Sequence, residues 1–266
     1  NDLIVRMHGP SSPQASKWAK DDSRTAEELG SVLVDFMTAT SKRFNTIPNI
    51  KWMDVVNETV LPNGTWFGPK KGNTLWENPW FKMGLDANGF PNYILKSFEI
   101  ATKNATNIKL VYNHNGGMQP KMWDKVKETI LYIRSQGHRV DAIGWQGHIK
   151  LSGTTKGFIE DTDTTLNQLS ELIDWAHSNN LEFHVTELDY KIKDKSNIKK
   201  EHQIQAELYS KIVTLLESKT VNGVVALNLW DMGERFKKNT GYFQSIYDAD
   251  LQPTPAYQII KNALNN

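Results

Sequence analysis

Apolar and polar positions along this chain alternate between two rhythms. Leu3-Ile4-Val5 opens a short strand that runs to His8. From Thr25 to Phe44 the residues Leu29, Val32, Leu33, Phe36 and Met37 recur at the spacing of one helical face. Ile50 to Asn57 reads as a strand, and a long connection rich in Gly, Pro and Trp follows it. Tyr93 to Asn104 is predicted helical, Ile108 to Tyr112 a strand, and Gln119 to Ser135 a helix that Gly137 caps. Strands are then predicted at Val140 to Gln146, Leu181 to Thr186 and Val221 to Trp230. The helices between and after them span Thr165 to Ser178, His202 to Ser218 and Pro255 to Leu264. Six strands separated by helices imply parallel βαβ units, and no linker or low-complexity stretch divides them. The expectation is one α/β domain over residues 1–266.

A doubly wound sheet and a (β/α)8 barrel both fit that alternation. The Gly-x-Gly-x-x-Gly fingerprint that would favour the first is absent. Polar residues favour the second, because they fall at the carboxyl ends of several strands, where barrel enzymes keep their chemistry. Those ends carry His8, Asn57 with Glu58, Asn113, Gln146 with His148, Glu187 with Asp189, and Trp230.

Composition narrows the partners. The 31 basic and 30 acidic side chains leave a net charge of +1, which gives nucleic acid or an anionic membrane no electrostatic hold. No apolar run approaches the roughly 20 residues of a membrane span. There is no cysteine, so disulfides, thiolate metal sites and thiol nucleophiles are excluded. No export signal opens the chain. A secreted, cell-surface or periplasmic location would need one upstream. Nine tryptophans is a high number, and indole faces suit both core packing and sugar rings.

Glu58 ends one strand and Glu187 another. Either alone reads as a surface or salt-bridged acid. Together, on strands aimed at one barrel mouth, they can divide the cleavage of a glycosidic bond. One stays ionised and attacks the anomeric carbon, while the other gives a proton to the leaving oxygen. A gap of roughly 5 to 5.5 Å between them implies retention and a wider one inversion.

With WMDVVNE (52–58), GWQGHI (144–149), HVTELDY (184–190), ENPWF (77–81), LVYNHN (110–115) and NLW (228–230), the chain resembles glycoside hydrolase family 10 over nearly its whole length. These are retaining endo-β-1,4-xylanases on a (β/α)8 barrel, and they need no cofactor and no metal. The resemblance implies Glu58 as acid/base and Glu187 as nucleophile. It implies Asn57 on the 2-hydroxyl of the attacked sugar, and His148 beside the nucleophile, holding it ionised. Asp189 would set the His148 tautomer. Gln146 and His8 would line the same subsite, Trp230 would wall it, and Asn113 is a further substrate-binding candidate. Trp80 is assigned to structure, while Trp66 and Trp76 stay open between sugar platforms and loop packing.

The same resemblance carries three departures. The strand ending at His8 is similar to the family's third, so about six βα units are expected here. The first two, which normally supply a Glu-Asn pair and a Lys, would lie upstream of Asn1, on a separate chain, or beyond an inserted carbohydrate-binding module. Met7 stands where the family shows a Trp before the His, and the resemblance leaves Trp18 as the candidate to replace that platform. The family's second pocket tryptophan is missing from DMGERFKKN (231–239), with Arg235 or Phe236 in its space. The expected function is endo-cleavage of β-1,4-xylan by double displacement. The same mechanism on another polysaccharide and a non-catalytic carbohydrate-binding barrel fragment are the alternatives.

Overall fold

The computed structural model describes residues 3–72, 76–150, 153–192, 196–230, 235–237 and 241–263. Of 192, 235–237 and 241–244 only the backbone is described. The chain forms two compact units, Asn1–His114 with Pro120–Ile143, and Asn115–Gln119 with Gly144–Asn266.

In the first unit β1 (Val5–Met7), β2 (Ile50–Asn57) and β3 (Lys109–His114) lie parallel in that order. The helices α1 (Ala26–Asn45), α2 (Asn92–Asn104) and α3 (Pro120–Ser135) follow them in turn. α1 starts where Thr25 and Glu28 form a reciprocal capping box. It buries Leu29, Leu33 and Met37 but leaves Val32 and Phe36, from the same predicted face, exposed. α3 ends at Gly137, whose φ of +82° lets His138 donate back to the Ile133 carbonyl. The core is built from Met53, Val55 and Val56 of β2, Leu110 to Tyr112 of β3, and Phe98 and Tyr93 of α2.

The chain passes into the second unit within β4 (Ala142–Trp145). β5 (His148–Lys150) follows, then the single turn α4 (Gly157–Glu160), α5 (Thr162–Ser178) and the long β6 (Glu182–Ile192). α6 (Ile198–Lys219), β7 (Val225–Leu229), β8 (Arg235–Lys237), β9 (Gly241–Gln244) and α7 (Pro255–Ala263) complete it. β6 is the hub. Its first half pairs in parallel with β7. Its second half has β5 parallel on one edge and β9 antiparallel on the other, with β8 folded back on β9.

All six expected strands are present, and β5, β8 and β9 are additions to them. Residue 264, the expected end of the last helix, lies outside the described residues. No helix among the described residues is long and apolar enough to cross a membrane.

Candidate active site

The polar strand ends form one cluster in each unit. The first cluster starts from Asp54, a carboxylate fully buried in the middle of β2. Such a charge needs partners. Register supplies them: Met7 pairs with Met53, so His8, the next residue, comes alongside Asp54. His8 Nδ1 lies 2.9 Å from Asp54 Oδ2. Arg6, on the same strand face as His8, binds both carboxylate oxygens, through Nη2 to Oδ1 and through Nε to Oδ2 at 3.3 Å. His8 is the exposed member of this trio.

Past Asp54 the backbone is pinned residue by residue. Asn57 N–H donates to the Ser11 carbonyl at 3.0 Å, and Glu58 N–H to the Asn113 carbonyl at 3.2 Å. Thr59 Oγ1 shares a 2.5 Å hydrogen bond with the Tyr112 hydroxyl, and Val60 N–H donates to His114 Nε2 at 3.0 Å. Held this way, Glu58 occupies left-handed backbone at φ +55°, a conformation that costs a non-glycine residue about 1–3 kcal/mol. Asn113 is fully buried, and its amide donates to Asn57 Oδ1 at 3.1 Å. That turns the Asn57 amide nitrogen toward Glu58 Oε1, 3.4 Å away. Asn113 therefore acts through Asn57, whose amide it orients.

The second cluster is built on β6. Glu187 N–H donates to the Gln146 carbonyl at 2.8 Å, and Asp189 N–H to the Gly147 carbonyl at 3.3 Å. Gly147 has φ +79°, and a side chain there would press on Val185 and Leu188. The bare backbone lets Gln146 and His148 ride close over β6. His148 pairs in register with Asp189, and Glu187 lies two residues before Asp189 on the same face. The imidazole thus sits between two buried carboxylates. Its Nε2 is 3.1 Å from Glu187 Oε2, and its Nδ1 makes a 2.9 Å ion pair with Asp189 Oδ1, off the ideal hydrogen-bond axis. Burial works against a charged ring. The polar contacts and negative charge of Asp189 and Glu187 outweigh it, and the His148 pKa is raised from 6.5 to about 9. Trp230 donates its backbone N–H to the Leu188 carbonyl and meets His148 edge to face, centroids 5.6 Å apart, with the indole 41% exposed.

So His8, Asn57, Glu58 and Asn113 share one cluster, and Gln146, His148, Glu187, Asp189 and Trp230 the other. Asp54 and Arg6 were missed. The available signal was a carboxylate inside an apolar run, with a guanidinium two residues before a strand-end histidine. Trp80 is buried with its ring N–H on the Ser12 carbonyl, as assigned. Trp66 resolves as loop packing, edge-on to Phe90 and bonded to the Gly89 carbonyl. The side chains of Arg235 and Phe236 lie outside the described residues.

This geometry can now be set beside known proteins. Residues 7–263 match the model of glycosyl hydrolase family 10. Endo-1,4-beta-xylanase A of Humicola insolens is 25% identical over 95% of this chain and 61% of its own length. Endo-1,4-beta-xylanase B of Neocallimastix patriciarum is 25% identical over 90% of the chain and 25% of its own length. The chain thus spans less than two thirds of these relatives. Native xylanase 10B of Thermotoga maritima superposes with a TM-score of 0.76 at 25% identity, covering 99% of this chain and 75% of that one. Xylanase 10B of Thermotoga petrophila RKU-1, in complex with xylobiose, gives 0.78 at 25%, covering 98% and 74%. The α/β alternation is that of the (β/α)8 barrel, with about six of its βα units in this chain. A family match that runs from the strand bearing His8 to the last helix, through both clusters, leaves one assignment: the chain belongs to glycosyl hydrolase family 10.

Proposed function

We propose that this chain is the catalytic part of a retaining endo-β-1,4-xylanase, with residues 1–266 acting as one catalytic domain. The observation that carries the reading is Glu187 held buried against His148, itself backed by Asp189. A protein that only binds sugar has no need of a buried carboxylate with a matched cationic neighbour. The names of the relatives and the xylobiose bound to the Thermotoga petrophila enzyme support xylan as substrate.

In this reading Glu187 attacks the anomeric carbon and forms a glycosyl ester as the glycosidic C–O bond breaks. Glu58 gives its proton to the departing oxygen. Glu58, now a carboxylate, takes a proton from water. The water oxygen bonds to the same carbon, and Glu187 leaves with its electron pair. Two inversions give net retention. Asn57, oriented by Asn113, donates to the 2-hydroxyl of the attacked sugar. His8, fixed by Asp54, and Gln146 line that subsite, and the Trp230 indole covers the sugar's apolar face.

Two further parts of the proposal concern the setting. β1 pairs with β2 alone among the described strands, and Leu3 and Ile4 beside it are 69% and 62% exposed. An open apolar edge of this kind calls for a cover. We assign it to the βα units that make up the unmatched quarter of the solved relatives, carried outside residues 1–266 or on an associated chain. A polymeric substrate further implies action outside the cytoplasm. Incubation with a 2-fluoro-xylobioside, followed by peptide mass spectrometry, tests the core of the reading. A label on the peptide bearing Glu187 is expected, and a label elsewhere refutes the nucleophile. Proton NMR of the first product must show the β-anomer.

A further inference from the structure

The pair Asn-Gly occurs four times in the chain, at Asn63-Gly64, Asn88-Gly89, Asn115-Gly116 and Asn222-Gly223. Such a pair can react with itself. The backbone nitrogen of the glycine attacks the side-chain carbonyl carbon of the asparagine, and a five-membered imide closes as ammonia leaves. Water then opens the imide. Cleavage at the side-chain carbonyl gives aspartate, and cleavage at the main-chain carbonyl gives isoaspartate, in which the backbone runs through the side chain. Glycine permits the attack because it has no side chain to shield its nitrogen and little bias against the backbone rotation that the ring needs. Within a fold the attacking nitrogen and the amide must both come free, so hydrogen bonds on either group oppose the reaction.

Three of the pairs are held. Gly64 N–H donates to the Leu61 carbonyl at 2.9 Å, while Asn63 Oδ1 accepts from Thr65 N–H at 3.1 Å and from Thr65 Oγ1 at 2.7 Å. Gly89 N–H donates to the Asp86 carbonyl at 3.1 Å, and Asn88 Nδ2 to the Tyr132 hydroxyl at 2.7 Å. Asn115 is half-buried with contacts of its own, and the Gly116 carbonyl takes the Trp145 ring N–H at 2.8 Å. Asn222 differs. It is exposed in the turn between α6 and β7, and among the described residues neither its side-chain amide nor the Gly223 N–H has a hydrogen-bond partner.

Packing keeps this pair in place. A Cβ at residue 223 would come 2.6 Å from Cδ2 and 2.8 Å from Cγ of the His177 ring, which lies across the glycine. That ring is itself tied through Nε2 to the Val224 carbonyl at 3.3 Å. The contact that demands glycine at 223 therefore also preserves the reactive pair.

We propose that Asn222 is a site of spontaneous deamidation in the folded protein, and that its isoaspartate form loosens the start of β7. The Val224 carbonyl receives the Phe183 N–H at 3.0 Å, where β7 begins to pair with β6. Isoaspartate adds a methylene to the main chain just before this rung, on the strand that pairs with the bearer of Glu187. The proposal is independent of the reaction assigned to the chain.

The test incubates the folded protein at mildly alkaline pH and maps it by peptide mass spectrometry, with isoaspartate scored by a protein isoaspartyl methyltransferase. Asn222 is expected to react about tenfold faster than the other three, the equivalent of one hydrogen bond that they must first open. In urea, where all four pairs are free, the rates should converge. A folded Asn222 that does not outpace the other three overturns the proposal, and a lead that persists unchanged in urea overturns its structural cause. Protein aged until Asn222 has reacted should unfold about 2–4 °C lower, the equivalent of one lost ladder bond. Asn222→Gln, whose longer side chain closes such a ring far more slowly, should keep its midpoint through the same incubation. An unchanged midpoint in the modified protein refutes the effect on β7.

Discussion

Replacing Asp189 by asparagine keeps the shape of the His148 site and removes one of its two charges. In the parent protein the His148 pKa is raised from 6.5 to about 9. That difference is about 3 kcal/mol between the two protonation states, an upper figure since part of the ring meets water. Burial alone would have depressed the value, so the two carboxylates together supply more than the net amount. With Asp189 neutral, one carboxylate is left against the same burial, and the His148 pKa should fall to near its ordinary value or below. The folded-state pKa exceeds the unfolded one. The imidazolium therefore stabilises the fold fully below about pH 6.5, and this contribution disappears as the pH rises to about 9. Urea unfolding from pH 6 to 9.5 should show parent stability declining across that window by up to about 3 kcal/mol. Asp189→Asn should be flatter over the same window and less stable at its acid end. NMR titration of the His148 ring hydrogens gives the pKa directly. A parent His148 titrating at or below 6.5, or identical pH dependence in parent and variant, would refute the reasoning.

Substitutions at three positions test separate pieces of the site, and one at an exposed ion pair serves as a control. Glu58 sits at φ +55°, which glycine adopts freely and alanine does not. Glu58→Gly should be more stable than Glu58→Ala by about 1 kcal/mol in chemical denaturation, although both lose activity. Asp54→Ala removes the buried carboxylate that Arg6 and His8 share and should cost about 3–5 kcal/mol by the same measurement. Removing Lys156, which pairs with Glu160 on an exposed turn, should cost about 0.5 kcal/mol or less. Gly147→Ala must hold φ +79° and push on Val185 and Leu188. It should lower the thermal midpoint by several degrees, equivalent to about 2 kcal/mol, and weaken activity by displacing His148.

The sequence revealed elements wherever one face is buried and periodic. β2 was expected at Ile50 to Asn57 and is found there, and α2 and α3 agree to one residue at each boundary. β6 was expected to stop at Thr186 and runs to Ile192. Glu187 and Asp189 read as a polar tip, yet β5 and β9 continue the ladder on both edges of that tip. β5 itself, His148-Ile149-Lys150, is three residues with no periodic signal, and its strand character comes from its partner. The candidate glutamates were legible through their flanking residues. Their supports were not. Ser11, Tyr112, Asn113 and His114 pin residues 57–60 across large sequence separations, and no local pattern announces a backbone carbonyl as a clamp.

One physical feature links what was legible to what was hidden. Both glutamate-bearing strands slip register near their glutamates, β2 between Asp54 and Val56 against β3, and β6 between Val185 and Leu188, the interval that holds Glu187, against β7. An extra residue in a strand turns an odd spacing into a same-face spacing. In a regular strand Asp54 and Asn57, three apart, would face opposite ways, and the residue that fixes His8 would be on the wrong side from the residue that orients on Glu58. The slip removes that conflict. The burial of Met53, Asp54, Val55 and Val56 in succession has a separate cause, a parallel strand covered on both faces, which is why the stretch does not read as period two. Bulges gather beside active sites because they re-aim side chains that strict alternation would misplace.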